Sequence, residues 1–329
     1  MKPKVVIALS IYKPNLKWLE ELLISLNNQT YQNIELLVWN DFPEDKYEYN
    51  RFFSKYIKNF KFYIKGGDKN LGVNGAFEEL TRWAEGDYIA YCDQDDIWMP
   101  EKIEKMVKFA ECNNLDLTAC FLKRINKNSK NIGEEIIKVS DDYENNRIGK
   151  FKYSLMHTLI NGCAMLLNLD IAKKALPFPK INNEYHDYWL SLYVTAYGRI
   201  GILKECLIKY RVYDNNTSTM YIGSKKDYLE KRLLTFKNKI EIVYERFLEE
   251  NFRNDIKDVL EFANCRVEYF CNPTIKNFYK LFVCYRNYNF KIVLFEILQP
   301  ILSNKLFLYI VNKQIKSKFF EVNIKELVK

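Results

Sequence analysis

Three carboxylates fall within four residues at Asp93-Gln94-Asp95-Asp96, directly after the apolar run Tyr88-Ile89-Ala90-Tyr91-Cys92. Charges of one sign held that close repel one another unless a cation or solvent offsets them. Hard divalent cations such as Mg²⁺ or Mn²⁺ favour carboxylate oxygens, and Mg²⁺ commonly combines one or two carboxylates with phosphate oxygens. Two neighbouring acids at the end of a buried strand therefore suit a metal that bridges protein and diphosphate. The plainer alternative is a solvated acidic turn in which Asp96 caps the following helix. For a bare D-x-D-D that alternative wins; the apolar strand before it tips the balance the other way.

A second stretch, Glu184-Tyr185-His186-Asp187-Tyr188-Trp189, contains one of only two histidines in the chain, the other being His157. A carboxylate beside an imidazole and aromatic walls has the parts needed to take a proton from an attacking hydroxyl. Read by itself, Asp187 is better explained as the N-cap of a helix carrying Trp189, Leu190, Tyr193 and Ala196. The glycine-rich run from Gly66 to Gly75, with Asn70 and Asn74 inside it, lets backbone approach an anion at a helix start. It lacks the spacings of a dinucleotide or P-loop fingerprint. No Ser-His-Asp or Cys-His arrangement is legible, and no nucleic-acid motif accompanies the basic residues.

These groups need a frame. Val5–Leu9, Ile34–Trp39, Phe60–Ile64 and Tyr88–Cys92 read as strands, separated by amphipathic helices such as the one marked by Leu19, Leu22, Leu23 and Leu26. Strands alternating with helices predict an α/β fold with a mostly parallel sheet, whose ligands bind beyond the carboxyl ends of the strands. Asp41 and Asp93 each follow a strand and belong at that edge. Further strands are expected at Asp116–Lys123, Cys163–Leu167 and Ile200–Leu203, with a polar, loop-rich stretch at Arg124–Lys150. After Gly223, Leu229, Leu233, Phe236, Ile240 and Val243 recur at helical spacing. A boundary near residue 222 is therefore expected, with a helical region from 223 to 329.

Of the 329 residues, 48% are apolar, enough for a sizeable core. The eight cysteines are scattered without a C-x-x-C pair, which fits free thiols in a reducing compartment better than zinc or disulfides. No signal peptide and no run of apolar residues long enough to span a bilayer is evident, so a cytoplasmic protein is expected. The net charge is +8, and Pro273–Lys318 supplies most of it, with eight basic residues against Glu296 alone. That segment is also apolar, which suggests either a contact with an anionic membrane at the inner face of the cell or a packed helical tail with solvated lysines.

In this order, SLNNQTYQNIELLVWND, NLGVNGAFEELTRWAEGDYIAYCDQDDIWMPEKI, NGCAMLLN, EYHDYWLSLYVTAYGRIG and LIKYRVYDNN resemble family 2 of the GT-A glycosyltransferases, over roughly residues 4 to 217. The nearest likeness is to bacterial rhamnosyltransferase-like enzymes of surface polysaccharides. The resemblance implies a Rossmann-like GT-A domain over 1–222, with a nucleotide-sugar half to about 123 and an acceptor half beyond it. It implies an inverting hexosyltransferase using a dTDP- or UDP-sugar, a divalent cation (Mn²⁺ or Mg²⁺) and a glycan or lipid-linked glycan acceptor. Carried over by position, Asp41 contacts the base, Asp93 the ribose, Asp95 the metal, and Asp187 is the general base. Asn70, Asn74, His186 and Trp189 are expected around the substrate and nucleotide.

Three stretches depart from the pattern: Ser10-Ile11-Tyr12, Asn40-Asp41-Phe42-Pro43, and Tyr210-Arg211-Val212-Tyr213, where relatives carry a histidine at the last position. Asp214 or water is left to replace that imidazole as a metal ligand. The competing expectation is a non-catalytic sugar-nucleotide-binding scaffold within a polysaccharide assembly complex.

Overall fold

The computed structural model describes residues 2–135, 147–156, 158, 160–181, 185–213, 222–285 and 296–317. Among them, two compact units form. The first holds 2–135, 158, 160–180 and 185–213; the second holds 147–156, 181, 222–285 and 296–317.

The first unit is built on one sheet. Strands β1 (Val5–Ile11), β2 (Ile34–Asn40), β3 (Lys61–Gly66) and β4 (Tyr88–Cys92) lie parallel in the order β3-β2-β1-β4. Helices α1 (Leu16–Asn27), α2 (Tyr49–Tyr56) and α3 (Gly72–Trp83) connect them. Every residue of β1 except Ser10 is buried, as expected of a strand covered on both faces. The edge strand β3 leaves four of its six residues exposed, lysines among them, which blunts an open edge.

Beyond β4 the mostly parallel expectation gives way to mixed pairing. β8 (Met165–Asn168) runs antiparallel to both β4 and β6 (Leu117–Ile125), β9 (Ile200–Arg211) runs parallel to β6, and β5 (Ile97–Trp98) runs antiparallel to β9. A hairpin strand, β7 (Asn131–Glu135), pairs with β6 inside the stretch expected to be loop. The ladder between β4 and β8 spans only Tyr88 and Ile89, so the carboxyl end of β4 leaves the sheet on that side. The strand order reverses between β1 and β4, which remain parallel, and such a reversal is the position at which open α/β sheets form ligand crevices.

Buried polar side chains in α1 and just past its end fix the turn that follows the acids. Ser25 Oγ accepts from the Trp98 amide at 3.0 Å, and Gln29 Nε2 donates to the Met99 carbonyl at 2.8 Å. That turn leads into α4 (Lys102–Asn113). α7 (His186–Tyr197) enters the same region through His186, whose ring sits between Phe77 (4.1 Å) and Tyr91 (4.9 Å). Neither ring nitrogen has a hydrogen-bond partner among the described residues, and burial pushes the imidazole down to about 3. The ring therefore remains neutral and packs as an apolar group.

The second unit is helical: α5 (Arg147–Met156), α8 (Lys225–Tyr228), a π-helical turn over Leu229–Leu234, α9 (Thr235–Arg246), α10 (Glu250–Cys271), α11 (Ile275–Tyr285) and α12 (Asn304–Ser317). α5 is held to α10 by Lys152, which pairs with Asp258 at 2.7 Å and Asp255 at 3.1 Å. One apolar cluster joins Phe262, Cys265, Tyr269 and Leu281; another joins Ile222, Tyr228, Leu233, Phe307 and Val311. No described helix is long and apolar enough to cross a membrane.

The depressed His186 pKa has a definite sign in stability. Below about pH 6.5 the unfolded chain gains a proton that the folded ring refuses, so stability falls as pH drops, by about 1.4 kcal/mol per pH unit from this group. His186→Leu should flatten the acid side of the stability profile by that slope in urea unfolding; parallel wild-type and variant profiles would contradict it. Arg211, at the end of β9, is fully buried and bonds five groups. Arg211→Met should cost roughly 3–5 kcal/mol in the same measurement, because its carboxylate and carbonyl partners stay behind unpaired. An unchanged unfolding midpoint would count against that accounting.

Candidate active site

β4 ends at Cys92, and the next four residues carry the acids. Gln94, between the first two, accepts from the Tyr12 amide at 2.8 Å and donates to the Tyr12 carbonyl at 3.1 Å. The ends of β1 and β4 are thereby locked together, and Asp93 and Asp95 are placed on either side of the lock. Asp93 is half-buried, and burial together with the charges of Asp95 and Asp187 pushes its carboxyl up to about 7. Burial also raises Asp95, against the hydrogen bond that Tyr213 Oη donates to its Oδ2 at 2.8 Å.

Asp96 is fully buried. Its Oδ1 accepts from the Arg211 amide at 3.0 Å, its Oδ2 has no partner among the described residues, and burial lifts its pKa well above the usual carboxylate range. It does not cap α4, whose N-cap position is Glu101. The helix-cap reading of Asp96 is thus replaced by a buried link between β9 and the acidic turn.

Asp187 reaches the same place from the first turn of α7. The N-cap residue is Tyr185, so Asp187 lies inside the helix instead of capping it. Its Oδ1 accepts from the Tyr188 amide at 2.8 Å and its Oδ2 from the Gly162 amide at 3.3 Å. Gly162 opens a short 3₁₀ turn over Gly162–Ala164, and a Cβ there would lie 2.5 Å from His186 Nε2. The absence of a side chain at Gly162 is what lets this turn approach the start of α7. One ligand atom each of Asp93, Asp96 and Cys163 lies within 4.8 Å of the others. Asp93 and Asp96 thus meet Cys163 at one spot, and Asp95 and Asp187 lie close enough for their charges to raise the Asp93 carboxyl.

Two supporting groups escaped the sequence reading. Lys102 is completely buried, donates to the Cys163 carbonyl at 2.7 Å, and places Nζ 3.2 Å from the centre of the Trp98 ring. Its charge draws the Asp93 pKa back down, while burial lowers its own. Arg211 is the other. Nε donates to the Asp95 carbonyl at 2.7 Å, one terminal nitrogen to Ser129 Oγ at 3.0 Å, and the other to Glu21 Oε2 at 2.6 Å. The Tyr213 ring packs on Trp18 with centroids 4.9 Å apart. Tyr210-Arg211-Val212-Tyr213 drew notice for the histidine it lacks, and the charged residues before it left nothing in the sequence to mark its arginine as buried. Asp214 lies outside the described residues.

Asp41 sits at the end of β2 with both carboxylate oxygens engaged. Oδ1 accepts from the Leu71 amide at 2.8 Å and from Trp39 Nε1 at 3.3 Å, and Oδ2 from the Gly72 amide at 2.8 Å. Asn70 Nδ2 donates to the Asp41 carbonyl at 2.9 Å. Gly72 has φ +70°, a conformation that favours glycine and turns the chain into α3. Asp41 and Asn70 together pin the glycine-rich loop to the sheet edge, and Asn74 lies on the first turn of α3, half-buried. Trp189 is buried and donates its indole N–H to the Ala175 carbonyl at 2.8 Å. A cleft of about 600 Å³ opens beside these loops, lined by Phe42, Tyr47, Arg51, Lys65, Gly66 and Gly67 among others; Asp93, Asp95 and Asp187 are not in its wall.

The donor set fits a hard divalent cation. Two of the three clustered atoms are carboxylate oxygens, of Asp93 and Asp96, the third is the Cys163 sulfur, and one buried oxygen of Asp96 has no partner among the described residues. Asp95 is not among those three clustered groups, and Tyr213 occupies one of its oxygens.

Comparison with known proteins agrees with this architecture. Residues 7–170 match the family described as Glycosyl transferase family 2. A glycosyltransferase of Methanocaldococcus jannaschii is 28% identical over 242 residues, covering 72% of this chain and 81% of that protein. The O-antigen biosynthesis glycosyltransferase WbnJ of Escherichia coli is 25% identical over 232 residues, covering 67% of this chain and 87% of that protein. Among solved structures, S. aureus TarS 1-349 in complex with UDP-GlcNAc has a TM-score of 0.57 at 16% identity, over 98% of this chain and 89% of that one. The mannosyltransferase PcManGT of Pyrobaculum calidifontis, in complex with GDP-Man and Mn²⁺, has a TM-score of 0.54 at 12% identity, over 100% of this chain and 86% of that one. A parallel half-sheet that breaks at β4, acids gathered at the break and a family match running through both place this chain in glycosyltransferase family 2, as a glycosyltransferase with a GT-A-type fold.

Proposed function

We propose that this glycosyltransferase is an inverting hexosyltransferase, moving a hexose from a UDP- or dTDP-sugar to a hydroxyl of a glycan in surface polysaccharide synthesis. The observation that carries the reading is the convergence of Asp93, Asp95 and Asp187, close enough for the charges of the other two to raise the first. The O-antigen role in the name of WbnJ and the nucleotide sugars in the TarS and PcManGT complexes support the substrate classes.

In this proposal Asp187 takes the proton of the acceptor hydroxyl. The hydroxyl oxygen forms a bond to the anomeric carbon as the bond from that carbon to the diphosphate oxygen breaks, and the electron pair leaves with the nucleoside diphosphate. The amides of Gly162 and Tyr188 orient the Asp187 carboxylate. Asp93 holds the donor's ribose. Asp95 would hold the cation, with its backbone fixed by Arg211 and its side chain by Tyr213. A divalent cation bound there would offset the charge that develops on the leaving diphosphate. Asp41 and Asn70 act through the loop they anchor, and Asn74 faces the donor from α3. His186 and Trp189 act by seating α7, which sets the position of Asp187.

Asp187→Asn should lower sugar transfer by at least about 10²-fold while donor binding, read as a thermal shift, is retained. Full transfer by that variant would remove Asp187 as the base. Chelator should abolish transfer, and added Mn²⁺ or Mg²⁺ should restore it in the wild type but not in Asp95→Asn. Transfer indifferent to chelator would overturn the metal role of Asp95.

A further inference from the structure

On α11, Leu281 is buried against Phe262, Cys265 and Tyr269 of α10. Ile275, Phe278, Tyr279, Phe282 and Val283 are exposed instead, Ile275 by 89% and Tyr279 by 67%. Their spacing of i, i+3, i+4, i+7 and i+8 puts all five on one face of the helix. A continuous apolar stripe of this size on one helix marks a contact surface.

Charge identifies the contact. Pro273–Lys318 has eight basic residues and one acid, and that acid is not at the surface. Glu296 is 5% exposed and accepts from an Arg266 terminal nitrogen at 2.6 Å. The surface of this segment therefore has no acid of its own to set against its lysines. Lys276 and Lys280 rise from α11 itself; Lys280 also pairs with Glu268 of α10 at 2.9 Å, where both side chains are about half-exposed. A second copy of the chain is a poor occupant, because joining two such faces would bring the Lys276 charges together. An anionic lipid surface satisfies both features at once, taking the rings among its acyl chains and the ammonium groups at its phosphates.

We propose that the exposed face of α11 docks the enzyme on an anionic bilayer, lying in the interface without crossing it. This deepens the sugar-transfer reading, since docking would bring the enzyme to lipid-linked acceptors. Its test does not depend on that reading.

The full chain is sedimented with vesicles of phosphatidylcholine, and with vesicles of phosphatidylcholine mixed with phosphatidylglycerol. Binding should appear with the anionic vesicles alone and weaken as salt is raised. Phe282→Ser and Lys276→Glu should each reduce it by about tenfold or more, with helical content and transfer to a soluble acceptor unchanged. No binding to anionic vesicles, or equal binding by wild type and both variants, would overturn the proposal. A dimer in light scattering that Phe282→Ser dissolves, without vesicle binding, would assign the face to a second copy and overturn it too. Vesicle binding lost in both variants by a chain that neither transfers nor hydrolyses a nucleotide sugar would uphold the docking face and sink the enzymatic reading.

Discussion

Four carboxyl groups, Asp93, Asp95, Asp96 and Asp187, meet around the end of one buried strand, and the repulsion among them has to be offset by what surrounds them. Burial raises the pKa of Asp93, Asp95 and Asp96, which is the physical record of that stress. The protein supplies partial relief. Lys102 sits buried beneath the cluster, the Arg211 amide bonds Asp96, and the Tyr213 hydroxyl bonds Asp95. None of these is a full counterion within the site itself. In the proposed function a cation bound together with a diphosphate would offset what remains, so the strain of the cluster and its proposed binding role would have one origin.

The frame explains how the stress is tolerated. Gln94 ties the ends of β1 and β4, Ser25 of α1 and Gln29 just past it hold the turn after the acids, and Arg211 bonds the backbone of Asp95, the hairpin after β6 and Glu21 of α1. Because three elements are bonded across the acidic turn, the turn cannot relax by swinging its acids apart. His186 does the equivalent for Asp187: an aromatic sandwich seats the ring, and Gly162 leaves the room that the ring needs.

Much of this was legible in the residues. Apolar runs located β1, β2 and β4, and the position of Asp93 just past β4 followed from the end of its run. The switch to mixed pairing was not legible, because periodicity within a strand carries no information about the direction of its neighbour. β9 was expected to stop at Leu203, yet it continues through Lys204 and Glu205 to Arg211; charged residues inside the strand hid its length and with it the Arg211 clamp. Asp187 and Asp96 both looked like helix caps, since spacing alone cannot separate an acid at a cap from one a few residues away that points into a site. Nothing in the sequence marks Lys102, since a lysine at the start of a helix carries no sign of burial, and only the packing reveals a buried cation.

The most direct test of the central claim is the cation itself. Mn²⁺ is titrated into the chain in the presence of excess nucleoside diphosphate, and free Mn²⁺ is read by electron paramagnetic resonance. One ion should bind per chain, with affinity lowered at least about tenfold in Asp95→Asn while the fold is retained. Equal Mn²⁺ binding by the wild type and that variant would contradict it.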